Sequence, residues 1–122
     1  MSKTTKDVVE LYLNACYEGS AEMIKQAFHE SAHLYSLDEN KALSDQPRDE
    51  FAQLIATPPS AKSVNAPREE EILFIDFSSE DTAVAKVATL AHGISFTDYL
   101  FLARIQGEWK IVSKFYTGKK KD

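Results

Sequence analysis

A chain of 122 residues has room for one domain around one core, and its 43% hydrophobic and 27% charged content is that of an ordinary soluble globule. A net charge of −5 argues against nucleic acid or an anionic membrane surface as a partner, because both need a basic footprint. No run approaches the roughly 18 apolar residues of a membrane span, and the polar start Met1-Ser2-Lys3-Thr4-Thr5-Lys6 is unlike a secretory signal, so a cytoplasmic protein is expected.

Residues 5–17 read as a helix, with Val8, Val9, Tyr12, Leu13, Ala15 and Cys16 recurring at three- and four-residue spacing. Thr4 or Thr5 can cap its start, and Gly19 suits its end. Ser20 then caps a second helix over 21–28, whose apolar face is Met23, Ile24, Ala27 and Phe28. Cys16, the single cysteine, falls on the first apolar stripe and reads as a buried small hydrophobe.

After Phe28 the period shortens. Ala32, Leu34 and Ser36 alternate with His33, Tyr35 and Leu37, which predicts a strand with His33 pointing away from the core. Asp38-Glu39-Asn40 is a polar turn, and Lys41–Leu43 is a short returning strand. Asp45-Gln46-Pro47 opens a third helix that turns Phe51, Leu54 and Ile55 inward. Thr57-Pro58-Pro59 stops it, and residues 57–67 form a loop suited to a mobile flap.

The remainder predicts four strands, Glu69–Phe77, Thr82–His92, Ile94–Ile105 and Glu108–Tyr116, joined by hairpin-sized breaks. Helices first and a meander afterwards imply an α+β domain over residues 1–122, with frayed tails at 1–3 and 118–122. One face of such a sheet packs on the helices. The other carries apolar residues such as Tyr99, Phe101, Val112 and Tyr116, which suits a homodimer through the convex face.

The segments YLNACYEGSAEMIKQAFHESAHL, EEEILFIDFSSEDTAVAKV and FTDYLFLARIQGEWKIVSKFY resemble the nuclear transport factor 2-like superfamily. Within it the chain looks closest to the group described as "putative lumazine-binding" and also resembles the polyketide-cyclase-like (SnoaL) and steroid-isomerase branches. The resemblance implies a cone-shaped, cystatin-like fold with the helices held in the concave face of a curved, mostly antiparallel sheet. It does not fix a function, since the fold hosts isomerases, dehydratases, cyclases and transport adaptors.

The steroid-isomerase branch implies specific positions. Tyr12 stands where its oxyanion-hole tyrosine would be, and Asp98 lies on the strand of its second donor. Ser36 stands where its base, an aspartate, would be, and a serine hydroxyl has no useful basicity near neutral pH. Asp98, between Thr97 and Tyr99 in an apolar strand, is a polar anchor for a ligand or a structural residue satisfied by Tyr12. His29, after the second helix, either meets the helix's last carbonyls or reaches a ligand. His92, at a strand end, is expected at the surface or the dimer face. The three histidines lack metal-ligand spacing and no carboxylate cluster accompanies them, so no metal is expected; no cofactor is expected either.

The pocket is therefore predicted to be lined by Tyr12, His29, Ser36, Phe51, Phe96, Asp98 and Phe115, with Phe74 a further aromatic candidate. Phase with Trp109 and Ile111 puts Lys114 on the convex surface, whereas a one-residue bulge would turn it inward beside Asp98. Three readings follow: a small-molecule-binding domain for a pterin- or lumazine-like or other aromatic ligand, a cofactor-free isomerase, dehydratase or cyclase using Asp98 as acid–base, and a protein-interaction module.

Overall fold

The computed structural model describes residues 3–91 and 93–120; Met1, Ser2, His92, Lys121 and Asp122 lie outside that range, and with them the expectation for His92 and part of the expected tails. The elements are α1 (Thr5–Glu18), α2 (Ala21–Ala27), β1 (Phe28–Leu37), β2 (Leu43–Pro47), α3 (Arg48–Ile55), β3 (Glu69–Ser79), β4 (Thr82–Ala91), β5 (Ile94–Ile105) and β6 (Glu108–Lys120).

α1 begins in a reciprocal cap. The Thr4 hydroxyl accepts from Asp7 N at 3.1 Å, and Asp7 Oδ2 accepts from Thr4 N at 2.9 Å, which satisfies two otherwise unpaired donors. Gly19 ends the helix at φ 71°, and its N–H donates to the Ala15 carbonyl. A Cβ there would stand 2.9 Å from Ser60 Cβ, so this glycine serves both the turn and the close passage of the 57–67 loop.

Two boundaries differ from the sequence pattern. Phe28 is not on the face of α2: its backbone is extended (φ −102°, ψ 139°), and it opens β1 with its ring buried. The turn after β1 is longer than three residues. Asp38 Oδ1 accepts from the amides of Asn40 and Ala42, and Lys41 takes φ 64°, so β2 starts only at Leu43. Asp45, Gln46 and Pro47 thus lie in β2 rather than in a helix, and α3 starts at Arg48.

The six strands form one sheet in the order β2-β1-β6-β5-β4-β3. Every neighbouring pair is antiparallel except β1 and β6, the first and last strands, which run parallel. β6 continues to Lys120, paired through Lys120 with Ile94, so residues 118–120 belong to the strand and not to a tail. Gln106 and Gly107, at φ 51° and 82°, make the tight turn between β5 and β6.

The three helices pack on the concave face. Val8, Val9, Leu13, Ile24 and Phe28 meet Leu34, Ala85, Val87, Leu100, Leu102 and Ile111 in one core. No helix of the described residues is long and apolar enough to cross a membrane.

One irregularity decides what lies inside. In the β5–β6 ladder Phe101 pairs with Ser113, but Leu102 pairs with Ile111, so Val112 is an extra residue on β6. Before this bulge Trp109 and Ile111 face the helices. After it the parity reverses: Lys114 and Tyr116 face in, while Ser113 and Phe115 face out.

Candidate functional site

Beyond the packed core, the concave side holds a cavity of about 800 Å³. α1 contributes Tyr12, Leu13 and Cys16, and α3 contributes Phe51, Leu54 and Ile55. Phe96, Asp98, Lys114 and Tyr116 come from β5 and β6, and the 57–67 loop and Arg68–Glu70 border its exposed end.

At the inner end lie three polar groups in one hydrogen-bonded chain. Lys114 Nζ donates to Tyr12 Oη at 2.7 Å, and Tyr12 Oη donates to Asp98 Oδ2 at 2.6 Å. The ammonium is 3.8 Å from the same carboxylate oxygen. Asp98 and Lys114 are 2% and 5% exposed. Two unit charges at this separation attract by on the order of 4 kcal/mol at an effective dielectric of about 20, which roughly offsets a desolvation cost of several kcal/mol per ion. The pair therefore adds little net stability, yet losing one member would leave the other charge stranded.

The ammonium also lies over aromatic rings, 4.9 Å from the centroid of Tyr12 and 4.7 Å from those of Phe51 and Tyr116. Asp98 Oδ1 is buried and meets no donor among the described residues. Burial, then the adjacent Asp98 charge, holds the Tyr12 hydroxyl well above its ordinary pKa, so it stays neutral and can keep donating. Burial likewise pushes the Cys16 thiol up to about 11, which makes it an inert wall residue at neutral pH.

Of the residues singled out from the sequence, Tyr12, Phe51, Phe96 and Asp98 are brought together here. Three are not. His29 lies on β1, where its Nδ1 accepts from Ser31 N at 3.0 Å rather than meeting helix carbonyls. Ser36 and Phe115 instead line a second hollow of about 650 Å³ between the far ends of β1, β5 and β6. Phe115 is excluded by the Val112 bulge, and Phe74 points out from β3, 45% exposed. The bulge brings in the two residues that strict alternation excludes, Lys114 and Tyr116. Phe96 and Tyr116, with ring centroids 6.2 Å apart, border both hollows.

The loop over 57–67 is fastened to α1. Lys62 N donates to the Tyr17 carbonyl, the Tyr17 hydroxyl donates to the Ala66 carbonyl, and Arg68 lies over the Tyr17 ring while pairing with Glu70. These contacts hold the loop against the cavity's outer end. Among the described residues no group of three His, Cys, Asp or Glu side chains is arranged to hold a metal ion.

A curved sheet around three helices, with a cavity between them, is the nuclear transport factor 2-like, cystatin-like fold. The chain belongs to the family described as "Putative lumazine-binding", which matches residues 2–117. It is similar to three solved nuclear transport factor 2-like proteins of unknown function. That from Silicibacter pomeroyi is 24% identical with a TM-score of 0.81, over 93% of this chain and 92% of that one. That from Shewanella baltica is 23% identical with a TM-score of 0.84, over 95% and 91%. That from Methylobacillus flagellatus is 25% identical with a TM-score of 0.78, over 98% of both. No curated protein matches the chain.

Proposed function

We propose that this chain binds a planar, largely apolar small molecule, and that the Lys114–Tyr12–Asp98 chain at the inner end of the cavity recognises its polar edge. The observation that carries the reading is a buried charged group set facing a space of about 800 Å³, within the range of small-molecule sites. Stability alone would be as well served by apolar side chains there.

The chemistry narrows the ligand. Asp98 Oδ1 is a buried acceptor awaiting a donor, and Lys114 has N–H groups beyond the one given to Tyr12. A ring edge with an N–H beside a carbonyl, as in the lactam of a lumazine or other pteridine, matches both, and the rings of Phe51, Phe96 and Tyr116 suit its faces. The family description supports the same class. An isomerase-type acid–base reading gains nothing from Ser36, which lies in the other hollow.

The test is calorimetric titration and thermal shift with lumazine, pterin, a flavin, an aromatic acid and a sterol. A pteridine with a free ring N–H raises Tm. Its analogue N-methylated at that nitrogen binds at least about tenfold more weakly, because the buried carboxylate oxygen stays unpaired. No response to any of these compounds defeats the reading.

The outward face of β5 and β6 carries Tyr99, Phe101 and Phe115, each at least 38% exposed, and we take it as the surface through which two copies associate. Phe115 replaces Tyr116 in this patch, because the bulge turns Tyr116 inward.

A further inference from the structure

We propose a second chemistry for the same cavity: Lys114 captures an aromatic or conjugated aldehyde as a protonated imine, with Tyr12 as proton relay and Asp98 as counter-ion. This rests on the cavity admitting a small molecule and not on the pteridine edge. It is carried by the geometry of the three groups and the rings around them.

A lysine is a nucleophile only as the free amine. Here Lys114 Nζ is hydrogen-bonded to Tyr12 Oη at 2.7 Å, and Tyr12 Oη to Asp98 Oδ2 at 2.6 Å, each donor aimed at the next acceptor. The ammonium gives a proton to the Tyr12 oxygen as Tyr12 gives its own to Asp98. The result is a neutral amine, an unchanged phenol and a carboxylic acid, with no net charge displaced out of the cavity. The neutrality of Tyr12 fits a relay that is never left as phenolate.

The amine nitrogen then attacks the aldehyde carbon. The C–N bond forms as the carbonyl π pair moves to oxygen, and a proton passes from nitrogen to that oxygen to give the carbinolamine. Asp98 returns its proton through Tyr12 to the hydroxyl, which leaves as water, and the nitrogen lone pair closes the C=N bond. The sum is an ammonium plus an aldehyde giving an iminium plus water, balanced in charge and requiring no oxidant or metal.

The surroundings suit that product. The iminium keeps the positive charge where Asp98 lies 3.8 Å away and where three rings lie within 4.9 Å of the nitrogen. A conjugated aldehyde fits best, since its flat apolar body occupies the cavity and its conjugation delocalises the cation.

The full-length protein is mixed at pH 6 with 4-(dimethylamino)cinnamaldehyde, with and without sodium cyanoborohydride. Lys114 should be reductively alkylated at least about tenfold faster than any exposed lysine, read by peptide mass spectrometry, because it alone has a hydroxyl relay and a buried carboxylate in line to take its proton. A red-shifted visible band should mark the protonated imine. Lys114→Arg, which keeps the cation, should lose band and adduct together, and Tyr12→Phe should slow labelling. If the aldehyde raises Tm but Lys114 is labelled no faster than the exposed lysines, the imine is refuted and the binding reading survives. If it neither raises Tm nor labels Lys114, this proposal fails, while the pteridine titrations judge the other.

Discussion

Removing Lys114 while keeping Asp98 should cost more than any comparable loss of packing, because the carboxylate would be left buried with Tyr12 alone. Lys114→Met is expected to destabilise the protein by about 3 kcal/mol in urea unfolding, and Lys114→Met with Asp98→Leu to recover most of it. A double variant as unstable as the single would mean that the charges are not coupled. Tyr12 and Cys16 add a pH signature. Both bind their protons more tightly folded than unfolded, so their contribution is complete below a pH of about 9 and is lost as pH rises, for Cys16 between 9.0 and about 11. Stability should therefore fall across that window. Cys16→Ala should flatten the fall by on the order of 1–2 kcal/mol, measured as denaturation midpoints at the two ends.

Gly19 carries two burdens at the junction of α1 and α2, and they can be separated. Gly19→Ala should cost about 1–2 kcal/mol from its left-handed backbone, plus the clash with Ser60. Adding Ser60→Gly should return only the steric part, with unfolding midpoints as the readout. Elements with local chemistry were legible in the sequence: the Thr4 cap, the Gly19 stop and the Gln106-Gly107 turn are set by residues a few positions apart. The onset of β2 was not, because Asp38 spends its carboxylate on a turn that delays the strand. Four of the six side chains that define the cavity's inner part were legible for the same reason. Tyr12, Phe51, Phe96 and Asp98 follow from regular periods, whereas Lys114 and Tyr116 depend on one extra residue in β6. A bulge changes parity without changing composition, so a two-residue period gives no warning of it.

At the scale of the molecule, the concave side is closed by helices while the outward side leaves aromatic side chains in water. Sedimentation should give a dimer, and Phe101→Glu, 46% exposed and away from the cavity, should give a folded monomer. A wild-type monomer would remove the proposed interface.

The unpaired Val112 has an evolutionary meaning as well. It shows that one extra residue in β6 can be absorbed without moving its neighbours; one more, inserted between Ser113 and Lys114 and taken into the ladder without a bulge, would reverse the alternation along the end of β6, carrying Phe115 into the cavity and Lys114 out to the opposite surface. No substitution would be needed, and a charged recognition site would become an aromatic one. In proteins built on this frame, a single-residue insertion or deletion is therefore a route to new ligands, and the chemistry of a pocket can change while nearly every letter of the sequence stays the same.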